Sequence, residues 1–409
     1  MFTNINTTFK RYPKTFWTLI GALFIDRIGG ALIFPFLSLY LTAKFDIGMT
    51  QVGTLFAIIS IASFFGSMLG GALTDRFGRR KLMMFGLITS ATSTLVLGFA
   101  NDMRIIYFGA ILVGLLSDIG HPATQAMMAD ILPENQRLEG FGILRVVANL
   151  AVTIGPAIGG IIAAKSFLWL FIIDAAASTI TALIVLLVLP ETKPQFTETQ
   201  KQPSMWESFK GYKVAFKDKI FMAFLVVTAL STLVYMQMNS TLSVFLRDNH
   251  GVSTQNFGYI ISMNAGMVVL LQFWVTRKIS RYKPMILMTV GTFFYAVGFA
   301  MYGFVATYPL FLLAMVIITI GEMVVSPTSN ALVASLAPEA MRGRYMAVMG
   351  FSWIIPSMIG PLGAGLIMDN LNPNWVWYLC GILGLVATLG YFILHKTAST
   401  RIKQPEIAE

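Results

Sequence analysis

The sequence is poor in charged residues. Only 12% of its 409 residues are Asp, Glu, Lys or Arg, and 56% are hydrophobic, whereas an ordinary soluble domain is about 25% charged. This balance excludes a typical soluble domain and indicates that lipid is the solvent for most of the chain. Cysteine is nearly absent as well, because Cys380 is the single copy, so no internal disulfide can form.

Long apolar runs replace the missing charge. Runs of roughly 20 residues, the length of helix that spans a ~30 Å hydrocarbon core, lie near residues 15–42, 52–73, 82–100, 105–129, 140–163, 167–190, 220–245, 254–275, 284–304, 308–333, 345–367 and 375–394. A β-barrel is excluded because its strands would be alternating segments of about ten residues. The first run is too long for a signal-peptide core, so we expect it to stay as an anchor. The sequence predicts an all-α membrane protein with twelve transmembrane helices.

The net charge of +10 follows membrane topology. With the N-terminus inside, most of the 29 Lys and Arg residues fall in intracellular segments, and the outward loops hold only Lys44, Arg104, Lys165 and Arg247. This asymmetry is the positive-inside rule. It predicts a multi-pass protein of the cytoplasmic (inner) membrane with both termini in the cytoplasm, and it argues against nucleic acid as a partner.

The chain reads as two similar halves. A polar segment at 191–219 divides the runs six and six, which predicts an N-terminal bundle at 1–190, a cytoplasmic linker and a C-terminal bundle at 220–409. A single offset of 205 residues maps Gly53 onto Gly258, Arg137 onto Arg342, and Gly155-Pro156 onto Gly360-Pro361. An even number of helices per repeat gives two parallel repeats, related by an axis along the membrane normal.

A motif between the second and third runs carries a family resemblance. Gly71, Asp75, Arg76, Gly78, Arg79 and Arg80 fill the pattern G-x-x-x-D-R-x-G-R-R, which resembles the signature of the major facilitator superfamily. The resemblance implies a major facilitator fold, with the substrate site between the two halves near mid-membrane. It also implies a cytoplasmic gate in which this segment latches the two halves when the protein faces outward. The simpler alternative is that the arginines only determine topology.

The fifth run carries a second motif. Gly155, Pro156, Gly159 and Gly160 stand in a pattern similar to G-x-x-x-G-P-x-x-G-G, which is seen chiefly in proton-coupled drug exporters of the superfamily, with Ala151 replacing the first Gly. The eleventh run repeats it at Gly360 and Pro361. A Gly-Pro pair bends a membrane helix and permits close packing, so we interpret both as hinges, and helix packing alone is the alternative. The family's Arg-Gly motif of the fourth helix does not stand clearly here.

Ionisable residues inside apolar runs are functional candidates by default. They are Asp26, Arg27, Asp118, Arg145 and Glu322. An acid at the bilayer centre costs roughly 2.5 to 3.5 kcal/mol on insertion scales, so these side chains must face a cation, water or one another. We predict a role in proton coupling or substrate contact, against the alternative of structural ion pairs with Arg27 or Arg145, or of Asp118 with His121. Asp174, at the start of the sixth run, is interpreted as a terminal charge.

The resemblance also suggests which side chains face the cavity, from the helices that usually line such sites. They are Phe34, Asn149, Tyr235, Gln237, Asn239, Asn264, Asn330 and Trp353.

These features favour a secondary transporter that exports amphipathic, drug-like molecules in exchange for protons by alternating access. An uptake permease or facilitator for a polar nutrient or lipid-linked substrate is the alternative in the same fold. The sequence shows no nucleophile with a base, no phosphate loop and no metal-ligand spacing, which argues against an enzyme or a cofactor. The expected partners are a small-molecule substrate, protons and the bilayer, and the expected state is a monomer.

Overall fold

The computed structural model describes residues 11–117, 119–192, 214–338 and 342–398. These residues form helices and turns, with no strand among them. Among the described residues, twelve helices are long and apolar enough to cross a membrane, which confirms the predicted number. The first six are α1 (Lys14–Phe45), α2 (Met49–Phe77), α3 (Arg79–Phe99), α4 (Met103–Ile131), α5 (Glu134–Ala163) and α6 (Phe167–Val188). The second six are α7 (Lys219–Ser240), α8 (Thr254–Ile279), α9 (Pro284–Met301), α10 (Tyr308–Leu336), α11 (Phe351–Asn370) and α12 (Asn374–Ala398).

Two helices begin where the sequence supplies an acidic cap. Asp102 accepts a hydrogen bond from the Arg104 backbone N–H at 2.8 Å at the start of α4. Asp218 does the same for the Phe221 N–H at 3.2 Å at the start of α7. A side-chain oxygen in this position satisfies one of the N–H groups that the first turn leaves without a partner.

Four spans are interrupted, whereas the apolar runs predicted continuous helices. A 3-10 turn at Phe34–Phe36 divides α1, and a π-helical turn at Val113–Ser117 divides α4. Short helices at Leu242–His250 and Arg342–Met349 follow α7 and precede α11. Pro35 has no N–H to donate, which accounts for the first interruption. Hydropathy cannot register such breaks because the residues at them stay apolar.

The chain divides into two compact units. The first comprises Met1–Asp46, Ile58–Phe196 and Ser253–Ala265, and the second comprises Ile47–Ala57, Thr197–Val252 and Gly266–Glu409. The boundaries therefore fall inside α2 and α8 as well as in the polar segment 191–219, of which residues 193–213 lie outside the described residues.

Each unit has its own apolar core. In the first unit, Phe16 and Leu19 of α1 pack with Met83 of α3 and with Met127 and Met128 of α4. In the second unit the largest fully buried side chains are aromatic, namely Phe221, Phe224, Phe245, Phe299, Tyr302, Tyr345, Tyr391 and Trp377. These rigid interiors hold the polar side chains that are described next.

Candidate functional site

Two carboxylates lie on facing helices of the first unit. The Ser178 hydroxyl of α6 donates to Asp26 Oδ1 of α1 at 2.8 Å. The Thr94 hydroxyl of α3 donates to Asp174 Oδ2 of α6 at 2.9 Å. A third bond, from the Thr181 hydroxyl to the Ala22 carbonyl at 2.9 Å, fixes the register of α1 against α6. Both acids are thus held by hydroxyl groups.

Asp174 is a functional candidate that the sequence reasoning missed. It was interpreted as a terminal charge, but it lies about two turns into α6, which begins at Phe167, and its side chain is 6% exposed. A Cβ atom built on Gly29 of α1 would stand 2.6 Å from Asp174 Oδ1, so the carboxylate occupies the space that this glycine leaves open. An acid within an apolar run was the available signal, and it is the same signal that singled out Asp26.

The arginines predicted as partners form no salt bridge with Asp26 or Asp174 in the part of the chain that the structure describes. The side chains of Arg27 and Arg145 are exposed. Among the described residues, no Lys or Arg nitrogen lies within 4.0 Å of Asp26 or Asp174. His121 is also exposed, and its predicted neighbour Asp118 lies outside the described residues.

A cavity in the second unit contains the remaining predicted acid. It has a volume of about 180 Å³ and is lined by residues of α7, α9, α10 and α11. The Tyr235 hydroxyl donates to Glu322 Oε1 at 3.0 Å. Trp353 stands at the edge of the cavity with half of its side chain exposed. Glu322, Tyr235 and Trp353 were all predicted, and the structure brings them together.

The other predicted cavity residues are dispersed. In the first unit, Phe34 and Asn149 are exposed and Asn264 is buried. In the second unit, Gln237 is 2% exposed, and its amide donates to the Leu233 carbonyl of its own helix. Asn239 is half-buried, and the side chain of Asn330 lies outside the described part of the structure.

The predicted cytoplasmic gate is a hydrogen-bonded turn in the first unit. Gly78 adopts a φ of 99°, a conformation that favours glycine. The buried Arg79 donates from Nε to Asp130 Oδ2 at 3.0 Å, and its backbone N–H donates to Glu191 Oε1 at 2.7 Å.

The other gate residues differ in placement. The Arg80 guanidinium donates to the Leu186 carbonyl. Arg76 is exposed and lies over the Phe77 ring. The side chain of Asp75 and the surroundings of Gly71 are outside the described residues.

The predicted hinge residues of α5 pack tightly within the first unit. A Cβ on Gly155 would lie 2.5 Å from the Ala31 Cβ, and one on Gly159 would lie 2.7 Å from the Leu32 carbonyl oxygen. Gly160 meets Gly258 of α8, where an added Cβ would lie 3.1 Å from the Gly258 Cα. Pro156 is inside the helix. Small residues here let helix backbones approach.

The corresponding residues of α11 lie in the second unit. A Cβ on Gly360 would meet Gln237 Nε2 at 3.1 Å, and Pro361 is buried inside the helix. The backbone of the next residue, Leu362, lies against Gly53, where a Cβ would stand 2.5 Å from the Leu362 Cα. Asp369 accepts hydrogen bonds from the Met49 and Thr50 backbone N–H groups at 2.9 and 2.8 Å. Asp369 therefore caps α2, a contact that the sequence reasoning did not foresee.

Curated relatives cover nearly the whole chain. A Na(+), Li(+), K(+)/H(+) antiporter of Planococcus maritimus is 25% identical over 406 residues, which is 92% of this chain and 93% of the relative. The multidrug resistance protein MdtH of Salmonella newport is 22% identical over 385 residues, which is 92% of this chain and 94% of the relative.

Solved structures share the fold. The nucleoside transporter NupG superposes with a TM-score of 0.76 at 15% sequence identity, covering 94% of this chain and 100% of that one. The model of the Major Facilitator Superfamily matches residues 19–361 and 326–408. This match covers most of the chain and agrees with the twelve apolar helices and with the motif from Gly71 to Arg80, so this chain is a member of the Major Facilitator Superfamily, a family of membrane transporters.

Proposed function

We propose that the protein exports amphipathic, drug-like small molecules in exchange for protons, by alternating access, as a monomer in the cytoplasmic membrane with both termini in the cytoplasm. The observation that carries this proposal is that Asp26, Asp174 and Glu322 each accept a hydrogen bond from a hydroxyl group inside a membrane helix bundle. The proposal treats these acids as the sites of proton loading and release.

Hydroxyl partners suit a carboxyl group that gains and loses a proton. A hydroxyl can donate to the ionised acid or accept from the protonated one, so either state keeps its hydrogen bond. A Lys or Arg partner would instead hold the acid ionised. Because an ionised Asp at mid-membrane costs roughly 2.5 to 3.5 kcal/mol, protonation is favoured whenever water is excluded. This supports coupling rather than a structural ion pair for Asp26.

The direction of transport is supported by similarity. The motif at Gly155–Gly160 resembles that of drug exporters, and one relative is named a multidrug resistance protein. Uptake of a polar nutrient is the alternative, since NupG, which shares the fold, is a nucleoside transporter.

Exchange of alkali cations for protons is a second candidate. The cavity around Glu322 is lined by the hydroxyl-bearing side chains Thr228, Ser231, Thr232 and Ser329, and hard cations prefer oxygen ligands. One relative is named a Na(+), Li(+), K(+)/H(+) antiporter. This candidate predicts coupling of protons to sodium or potassium without an organic substrate.

Proteoliposomes with an imposed pH gradient test the proposal. We expect doxorubicin, an amphipathic amine, to dissipate the gradient faster than in protein-free liposomes and to accumulate against its own concentration gradient beyond the level reached there. Asp26→Asn and Glu322→Gln should each lower gradient-driven accumulation at least about tenfold, because an amide cannot carry the proton. Asp102→Asn is the matched control, since Asn caps a helix as well as Asp does.

Other results would contradict the proposal. Full proton coupling in both variants would refute the assignment of the carboxylates. Accumulation of uridine without any response to doxorubicin would favour nutrient uptake, and gradient dissipation by sodium chloride alone would favour the alkali-cation antiporter.

A further inference from the structure

The cavity around Glu322 holds one negative charge when this acid is ionised. Glu322 is the only Asp, Glu, Lys or Arg in the described lining. The Tyr235 hydroxyl at 3.0 Å can donate a hydrogen bond to the ionised form. A ligand that balances this charge, and leaves no net positive charge in the cavity, carries a single positive charge. At about 180 Å³ the space fits a compact head group rather than a whole drug-like molecule.

Aromatic rings give the cavity a preference for organic cations. The Tyr235 and Tyr295 rings have centroids 5.6 Å apart, and the Tyr235 and Trp353 rings have centroids 6.2 Å apart at an interplanar angle of 79°. The faces of such rings attract ammonium groups. Trp353 is 52% exposed, so the apolar remainder of a ligand can extend past it.

A buried hydroxyl in the described lining lacks a hydrogen-bond partner. Ser231 is 2% exposed, and its Oγ has no partner among the residues that the structure describes. The neighbouring hydroxyls differ, because Thr228 donates to the Phe224 carbonyl at 2.7 Å and Thr232 donates to the Thr228 carbonyl at 2.9 Å. A buried polar group without a partner is costly, so a ligand that supplies a hydrogen bond to Ser231 relieves that cost.

We propose that this cavity binds the head group of a monocationic amine that retains at least one N–H, with Glu322 pairing the charge and Ser231 accepting the N–H. This inference rests on the proposed export function and narrows its substrate class. A quaternary ammonium group meets the charge and the aromatic faces, but it has no hydrogen to donate to Ser231. The cavity should therefore distinguish two cations that differ by one methyl group.

Binding measured by isothermal titration calorimetry on the purified protein in detergent at pH 7 tests this inference. The probes are benzyldimethylamine, which is protonated at this pH, benzyltrimethylammonium, and neutral benzyl alcohol. We expect the tertiary amine to bind about tenfold more tightly than the quaternary one, which corresponds to about 1.4 kcal/mol. Benzyl alcohol should not compete.

Variants identify the groups responsible. Ser231→Ala should reduce the preference for the tertiary amine to within about threefold. Without the Ser231 acceptor, both probes bind through the same interactions, namely those with the Glu322 charge and the aromatic rings. Glu322→Gln should weaken the binding of both cations. Ser240→Ala on the same helix is the matched control, since the Ser240 hydroxyl already donates to the Met236 carbonyl at 3.0 Å, and it should keep the full preference.

Equal or tighter binding of the quaternary probe by the unsubstituted protein would overturn the inference, and this comparison needs no variant to fold. Displacement of the amine by millimolar sodium or potassium chloride would assign the cavity to an inorganic ion and would overturn it too. Neither the pH gradient nor transport enters the measurement. If the tertiary amine shows no preference in calorimetry, the proposal of proton coupling is still tested independently in proteoliposomes.

Discussion

The cap that Asp369 places on α2 permits a quantitative prediction. Asp369 accepts two backbone N–H bonds, from Met49 at 2.9 Å and from Thr50 at 2.8 Å, at the positive end of a helix. Replacing an N-cap acid by alanine costs about 0.5 to 2 kcal/mol. Because the site is partly exposed, we expect about 1 kcal/mol for Asp369→Ala.

The measurement is hydrogen exchange of the amides at residues 49–57, resolved by mass spectrometry. Loss of about 1 to 2 kcal/mol corresponds to a factor of about 5 to 30 in local opening, so these amides should exchange at least about fivefold faster in Asp369→Ala. Asp369→Asn should lie between this variant and the unsubstituted protein, because asparagine still caps but carries no charge.

A neighbouring residue provides the control. Asn370 stands at the same end of α11, but its side chain donates to the Leu366 carbonyl of its own helix at 2.9 Å. Asn370→Ala should leave exchange at residues 49–57 unchanged. If Asp369→Ala also leaves it unchanged in a folded protein, Asp369 does not stabilise the start of α2 and the reasoning is wrong.

Two further predictions concern packing and pH. Gly53→Val should lower the thermal midpoint in detergent by the equivalent of about 1 to 3 kcal/mol, because its Cβ would collide with Leu362. Gly363→Ala should be neutral, because nothing lies within 4 Å of the added Cβ. Similar midpoints for the two variants would refute the close approach of Gly53 to Leu362. Burial lowers the pKa of His250 from 6.5. Below pH 6.5 the unfolded chain therefore binds more protons than the folded protein, so the free energy of unfolding should fall as the pH drops below this value. Thermal midpoints from about pH 8 to pH 5 should show this loss relative to His250→Gln, and a constant difference between the two proteins would contradict it.

The sequence was sufficient for the architecture because lipid imposes a simple length rule. Twelve apolar runs became twelve helices, and the motif from Gly71 to Arg80 led to the correct family. Helix ends were less well predicted, as at α11, which begins at Phe351 rather than near 345. The short helix Arg342–Met349 before it ends in four apolar residues, 346–349, so hydropathy does not mark the break.

Two acids of the candidate site could be predicted from the sequence, but the serine and threonine hydroxyls near them could not. Glu322 and Asp26 are conspicuous because ionised groups are rare in apolar runs. Ser231 and Thr94 are not conspicuous, because hydroxyl residues are common in membrane helices and usually bond to their own backbone. Whether a hydroxyl meets a carboxylate or remains without a partner depends on how one helix is rotated against the next. Asp369 escaped notice for a related reason, since its partners are 320 and 319 residues away in the chain.

The unit boundaries inside α2 and α8 have a consequence for dividing the polypeptide. A cut within the polar segment 191–219 would leave residues 47–57 on one fragment and their partners Leu362 and Asp369 on the other. It would likewise separate Gly258 from Gly160. Neither fragment would contain all the residues of one unit, so each unit needs residues from both sides of the cut to be complete.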